Sequence, residues 1–184
     1  MDPGWEGNLD PVKIGDQCII ANHVTIYEGV EIGICTVIDD YVRIGHDSKV
    51  GHNARITHGA YLGDRVTIGD LSRIGGFICD GAIIGRSSSI MGNVIHDYTS
   101  PHLDWWDVDE ASPVIEDHVV VGWGATVIGG VRLSSHTYVA AGATVTKDVP
   151  PKQVVVGLNQ QIPLLEWKGN GLRGLIRSWT NGEA

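Results

Sequence analysis

The chain has 184 residues and a formal net charge of −9. That length suits one domain able to bury most of its surface, and the acidic balance argues against a nucleic-acid-binding surface. A single Phe beside 25 Gly excludes a broad aromatic core and fits a thin one filled by Ile and Val.

Residues 1–11 form a polar, loop-like lead-in without the apolar run of a signal peptide. No later stretch approaches membrane-spanning length, so a cytoplasmic location and no membrane span are expected. Trp5 is placed to cap an open end of the fold. From Ile14 an aliphatic residue returns at every sixth position, through Ile20, Ile26, Ile32, Ile38, Ile44, Val50, Ile56, Leu62, Ile68 and Ile74. The beat slips by two at Gly75-Gly76, resumes at Ile78, Ile84 and Ile90, and returns after a gap as Ile115, Val121, Val127, Leu133, Val139 and Val145. Small or β-branched residues such as Cys18, Thr36, Ala54, Ser72 and Ala143 stand two positions before these aliphatics, and Gly often follows.

Six is not a helical period, because a helix buries i, i+3, i+4 and i+7. It is a multiple of two, so the aliphatic side chains can share one face of a strand-like path. A short strand plus a corner, repeated, predicts a parallel β-helix. Three units make one triangular coil of about eighteen residues, and coils stack at about 4.8 Å. The aliphatic fills the prism, the small residue fits the corner, and Gly supplies the positive φ of the turn. No coil has a core of its own; the stack does.

The segment 92–113 abandons the period and reads as a loop thrown out from the working face. After Val145, Pro150-Pro151 ends the regular structure, and Val154, Val155 and Val156 can add a last strand. One domain is therefore expected over 1–160, with the loop at about 92–113 and a tail over 161–184 capping the last coil. That tail reads as a short amphipathic helix, weakened by Gly169, Gly171 and Gly174. Cys18, Cys35 and Cys79 have the spacing of neither a zinc ribbon nor a redox pair and read as free thiols in a reducing compartment.

Two strings carry chemistry. Ile95-His96-Asp97-Tyr98 opens the loop, and Ala140-Ala141-Gly142-Ala143-Thr144-Val145-Thr146-Lys147-Asp148-Val149-Pro150-Pro151 closes the repeats. Together with the hexad beat over about residues 12–160, they resemble the hexapeptide-repeat, left-handed β-helix acyltransferase family, closest to its sugar O-acetyltransferase branch. The resemblance implies an all-β, left-handed parallel β-helix. The usual crossover rule would give the opposite hand, so handedness rests on the resemblance alone.

It further implies an acetyltransferase that moves an acetyl group from acetyl-CoA, without a metal, to a hydroxyl or amine of a sugar or nucleotide-sugar acceptor. A homotrimer with sites between neighbouring prisms is implied as well. His96 takes the place of the general base, a role that suits neutral imidazole. Asp97 is a candidate to hold its tautomer. Trp123 and Ala141 fall where relatives line the pantetheine groove, and Thr146 and Lys147 fall near the nucleotide end, where Lys offers charge to phosphate. His102, Trp105 and Trp106 are candidate acceptor contacts, the indoles by stacking on a sugar ring. Two departures stand out: Trp123 replaces a usually small residue, and Leu158-Asn159-Gln160-Gln161 replaces Asn-Pro and a basic residue after Gly157. The γ-class carbonic anhydrases share the fold, but their pair of His five apart is missing; His46, His52 and His58 lie six apart. A non-catalytic scaffold on the same prism is the remaining alternative.

Overall fold

A computed structural model describes residues 10–97 and 111–168. Most strands are two residues long, and three sheets of seven, nine and seven strands run the length of the prism, parallel throughout except for the last strand of the second. The first face begins at Lys13–Ile14, the second at Ile19–Ile20 and the third at Thr25–Ile26; every third strand returns to the same face. The architecture is the expected left-handed parallel β-helix.

The hexad residues pair with their own kind. Ile14 lies opposite Ile32, Ile26 opposite Ile44, and Val127 opposite Val145. They form one continuous core in which Ile38, Ile56, Leu62, Ile74, Ile90, Ile115 and Val139 are fully buried. Each such side chain is worth about 1.5–3 kcal/mol relative to exposure. Only the first coils depart from this pattern, with Ile14, Ile19 and Ile20 exposed at the open end.

Side-chain ladders hold the corners. Buried Thr36, Ser48, Ser72 and Ser88 donate to carbonyls of the next coil, as Ser48 Oγ does to Gly63 O at 3.0 Å. The same hydroxyls accept amides there, as Ser48 Oγ does from Val66 N at 3.0 Å. Carboxylates of Asp40, Asp64, Asp70, Asp80, Asp117 and Asp148 each accept a corner N–H of the preceding coil, at 2.7–2.9 Å.

The structure corrects three expectations. First, the glycines after the aliphatic beat do not supply positive φ; Gln17, Cys35, Asn53 and Leu71 do that at one corner. Gly33 is glycine for space: a Cβ there would stand 2.6 Å from the carbonyl carbon of Gly51. Second, the beat continues past Met91. A second shortening at Met91-Gly92 brings Val94 opposite Ile78, and Val94 is fully buried. The extruded segment is therefore narrower than 92–113, since the strand Asn93–Ile95 belongs to the coil. Third, the tail opens as a strand. Gln160–Pro163 pairs antiparallel with Gln153–Val156, and among the described residues the 3-10 turn Leu164–Glu166 follows. Trp5 and residues 169–184 lie outside the described residues. Among the described residues, no helix is long and apolar enough to cross a membrane.

The close coil contact sets a test. Gly59 has φ +68° and open space around a would-be Cβ, so Gly59→Ala costs only the left-handed penalty of about 1–2 kcal/mol. Gly33→Ala meets the next coil's backbone and is expected to lose distinctly more. Equal losses in urea unfolding would contradict the stacking.

Candidate active site

The chain leaves the prism after His96 and returns at Ala111. The Asp97 N–H donates to the Ala111 carbonyl at 3.1 Å, closing the root of the excursion. His96 is half-buried at the corner that follows Asn93–Ile95 on the third face. Asp97 is exposed, and its side chain lies beside Gly129, 3.8 Å from where a Cβ on that glycine would sit. It is thus placed toward the next coil.

Register locates the other candidates. Ile95 pairs with Ile128 and Val127 with Val145, so His96, Gly129 and Lys147 follow one another along a single corner. Trp123 and Ala141 occupy the other edge of the third face, in the turns before Thr126–Ile128 and Thr144–Val145. Those two turns stack directly, with Gly142 N–H donating to Trp123 O at 3.0 Å. The five residues therefore frame one face, with His96 and Lys147 on one side and Trp123 and Ala141 on the other. A strand of three residues puts the two edges about 10 Å apart. Trp123 is 72% exposed, so its ring stands out from the prism instead of filling it. Thr146 is held by Asn159, which accepts its N–H at 2.7 Å and donates to its hydroxyl at 2.8 Å. Asn159 thus continues the corner ladder beyond the last parallel coil. His102, Trp105 and Trp106 lie outside the described residues.

Three features at the loop root escaped the sequence reading. Cys79 lies beneath His96, its thiol against the His96 backbone and the Ser112 hydroxyl. Burial pushes that thiol up to about 11, against the pull of those two contacts. It is therefore a thiol at neutral pH, not a nucleophile. The Ser112 hydroxyl donates to the Asp80 carbonyl and pins the returning strand. Gly129-Gly130 makes room for that return, since a Cβ on Gly130 would stand 2.6 Å from the Ala111 Cβ. The paired glycines one coil after the departure were the available signal. His46, His52 and His58 stand at three different corners. Among the described residues, no group of three or more His, Cys, Asp or Glu is placed to hold a metal.

Residues 41–76 match the family described as bacterial transferase hexapeptide (six repeats), and residues 114–147 match the hexapeptide repeat of succinyl-transferase. A 2,3,4,5-tetrahydropyridine-2,6-dicarboxylate N-acetyltransferase of Alkaliphilus metalliredigens is 54% identical over 48 residues, 26% of this chain and 20% of the relative. The serine acetyltransferase of Mycobacterium tuberculosis is 40% identical over 50 residues, 27% of this chain and 22% of its own. The chain thus spans only about a fifth of the length of these relatives. Among solved structures, AntD, an N-acyltransferase from Bacillus cereus in complex with dTDP and 3-hydroxybutyryl-CoA, superposes with a TM-score of 0.54 at 16% identity. That match covers 93% of this chain and 90% of AntD, and it shows a shared fold.

The buried thiol gives a measurable consequence. On brief alkylation of the native protein at pH 8, Cys79 should stay unmodified while the half-exposed Cys18 and Cys35 react. Mass spectrometry reads the sites; early labelling of Cys79 would show that the loop root does not cover it.

Proposed function

We propose that this chain, a parallel β-helix whose residues 41–76 and 114–147 match hexapeptide-repeat families, is a cytoplasmic acetyl-CoA-dependent acetyltransferase acting on a sugar or nucleotide-sugar acceptor. The observation that carries the reading is the position of His96. It stands at the one interruption of the prism in this stretch, on the edge of the face that also bears Trp123, Ala141 and Lys147. The acyltransferase relatives and the CoA-bound β-helix neighbour support the class of reaction.

In the proposed mechanism His96 takes the proton from the acceptor hydroxyl or amine as that atom attacks the thioester carbonyl; the C–S bond then breaks, and CoA leaves as the thiol with the proton that the imidazolium returns. Such a base contributes about 10²–10⁴-fold; holding both substrates together supplies much of the rest. The acetyl group passes directly, without a covalent enzyme intermediate, because the one thiol at the loop root is protonated and buried. The donor lies along the third face beyond His96. Small Ala141 lets its arm approach the backbone, exposed Trp123 forms the outer wall, and Lys147 beside Thr146 faces the nucleotide phosphates. Asp97 remains the proposed carboxylate that holds the His96 tautomer, and His102, Trp105 and Trp106 remain proposed acceptor-side groups. The assembly is a homotrimer, and no metal takes part. The carbonic anhydrase alternative gains no support from histidines spread over three corners.

His96→Ala is expected to lower kcat by about 10²–10⁴-fold while leaving the KM for acetyl-CoA within a few-fold. Thiol release with a panel of sugar acceptors reads both. Turnover close to that of the unaltered protein removes His96 as the base. A protein that acetyl-CoA does not stabilise in thermal melts would be a scaffold instead.

A further inference from the structure

The donor-side residues, Trp123, Ala141, Thr146 and Lys147, all lie in the coils after His96. An acceptor that meets the same imidazole therefore approaches across the coils before it. There the third face carries Arg43, Tyr61 and Phe77 in consecutive strands and in register. They form a stack along the prism axis. The Arg43 guanidinium lies 4.5 Å from the ring centre of Tyr27 and 4.6 Å from that of Tyr61. Tyr61 stacks on Phe77 at 5.1 Å with 23° between the rings. Gly45 and Gly63 follow these strands and are buried, with the Asp64 and Asp80 carboxylates of the next coil against them.

The stack fixes Arg43 before any ligand arrives. The guanidinium carbon lies within cation–π distance of both rings, an arrangement favourable in itself. The side chain is only partly buried. Tyr27 engages part of the guanidinium N–H edge through its hydroxyl. Asp64 accepts the His46 N–H at 2.9 Å and also acts on Arg43 by charge, without closing an ion pair with it. Among the described residues, Arg43 forms no ion pair with a carboxylate, whereas Arg55 and Arg132 do. A planar fork held against two rings and only partly buried is suited to bidentate binding of oxyanions.

We infer that Arg43, framed by Tyr27 and Tyr61, is an anion subsite for a phosphate or carboxylate carried by the acceptor. Three coil steps of about 4.8 Å place it about 14 Å from the level of His96. That span is too long for a bare monosaccharide and suits a sugar extended by a linked anionic group. The subsite selects such acceptors over free sugars and holds the sugar end at the imidazole. This assignment of acceptor class rests on the acetyl-transfer reading; the anion binding itself does not.

The test is calorimetric titration of the unaltered protein, Arg43→Met, Arg43→Lys and His96→Ala with inorganic pyrophosphate and, separately, with citrate, each variant first shown to melt cooperatively. Pyrophosphate is expected to bind the unaltered protein and His96→Ala alike. Binding should weaken at least about tenfold in Arg43→Met and partly in Arg43→Lys, which keeps the charge without the fork. Citrate binding in place of pyrophosphate, lost in Arg43→Met, supports the subsite and assigns it to carboxylates. No binding of either anion to the unaltered protein, or equal binding by Arg43→Met, overturns it. Anion binding by a protein whose His96→Ala form still turns over would keep the subsite and sink the proposed base.

Discussion

The structure depends on one repeated contact: an amide of each coil donates to the carbonyl one coil later, at a separation that leaves no slack. Lys49 N–H to Val66 O at 2.8 Å and Gly51 N–H to Ile68 O at 2.8 Å are typical. Where a corner is shortened, as at Gly75-Gly76, the strands on either side still keep this registry. The aliphatic beat, the corner hydroxyls and the corner carboxylates are three answers to that demand. Burial stabilises the interior, while the ladders satisfy backbone groups that two-residue strands leave at every turn.

This reframes the charge. An acidic surface usually means solubility or repulsion of polyanions, but here many Asp side chains cap amides of the preceding coil and so belong to the frame. The cost is a prism lined with like charges along its corners. Cations offset part of it, as in the Lys13–Glu31 contact at 2.7 Å and the paired contacts of Arg55 with Asp39. Exposed pairs of this kind contribute little individually. Arg43 differs from them because two rings hold it and, among the described residues, it closes no carboxylate ion pair.

Much of the fold was legible because a period of six maps directly onto inward and outward positions. The errors came where a local signal had two physical causes. Glycine after each aliphatic could mean positive φ or missing space, and the coil contacts at Gly33 decide for space. The break after Ile90 could mean that the coil had ended or merely shortened, and Val94 opposite Ile78 decides for shortening. Gly75-Gly76 had already displayed the same device one coil earlier. The hairpin of Gln153–Val156 with Gln160–Pro163 was hidden, since an antiparallel return has no hexad signature. His96 could be singled out from its place beside the interruption, but Cys79 beneath it could not, because its covering residue Ser112 is distant in sequence.

The interruption and the shortened corners make one arrangement. At Gly76 a Cβ would run into the Gly92 carbonyl, and at Gly92 one would meet Ala125 O. The edge between the second and third faces is therefore drawn in over two coils, just before Trp123 stands out in the next. On the opposite edge of the same face, the chain leaves at His96 and Gly129-Gly130 accepts its return. A β-helix offers flat, repetitive walls, and flat walls hold small molecules poorly. Relief must come from breaking the repeat on one side and withdrawing it on the other. Both departures converge on the coil of Asn93–Ile95, so the flat wall is interrupted on its two edges at that one level.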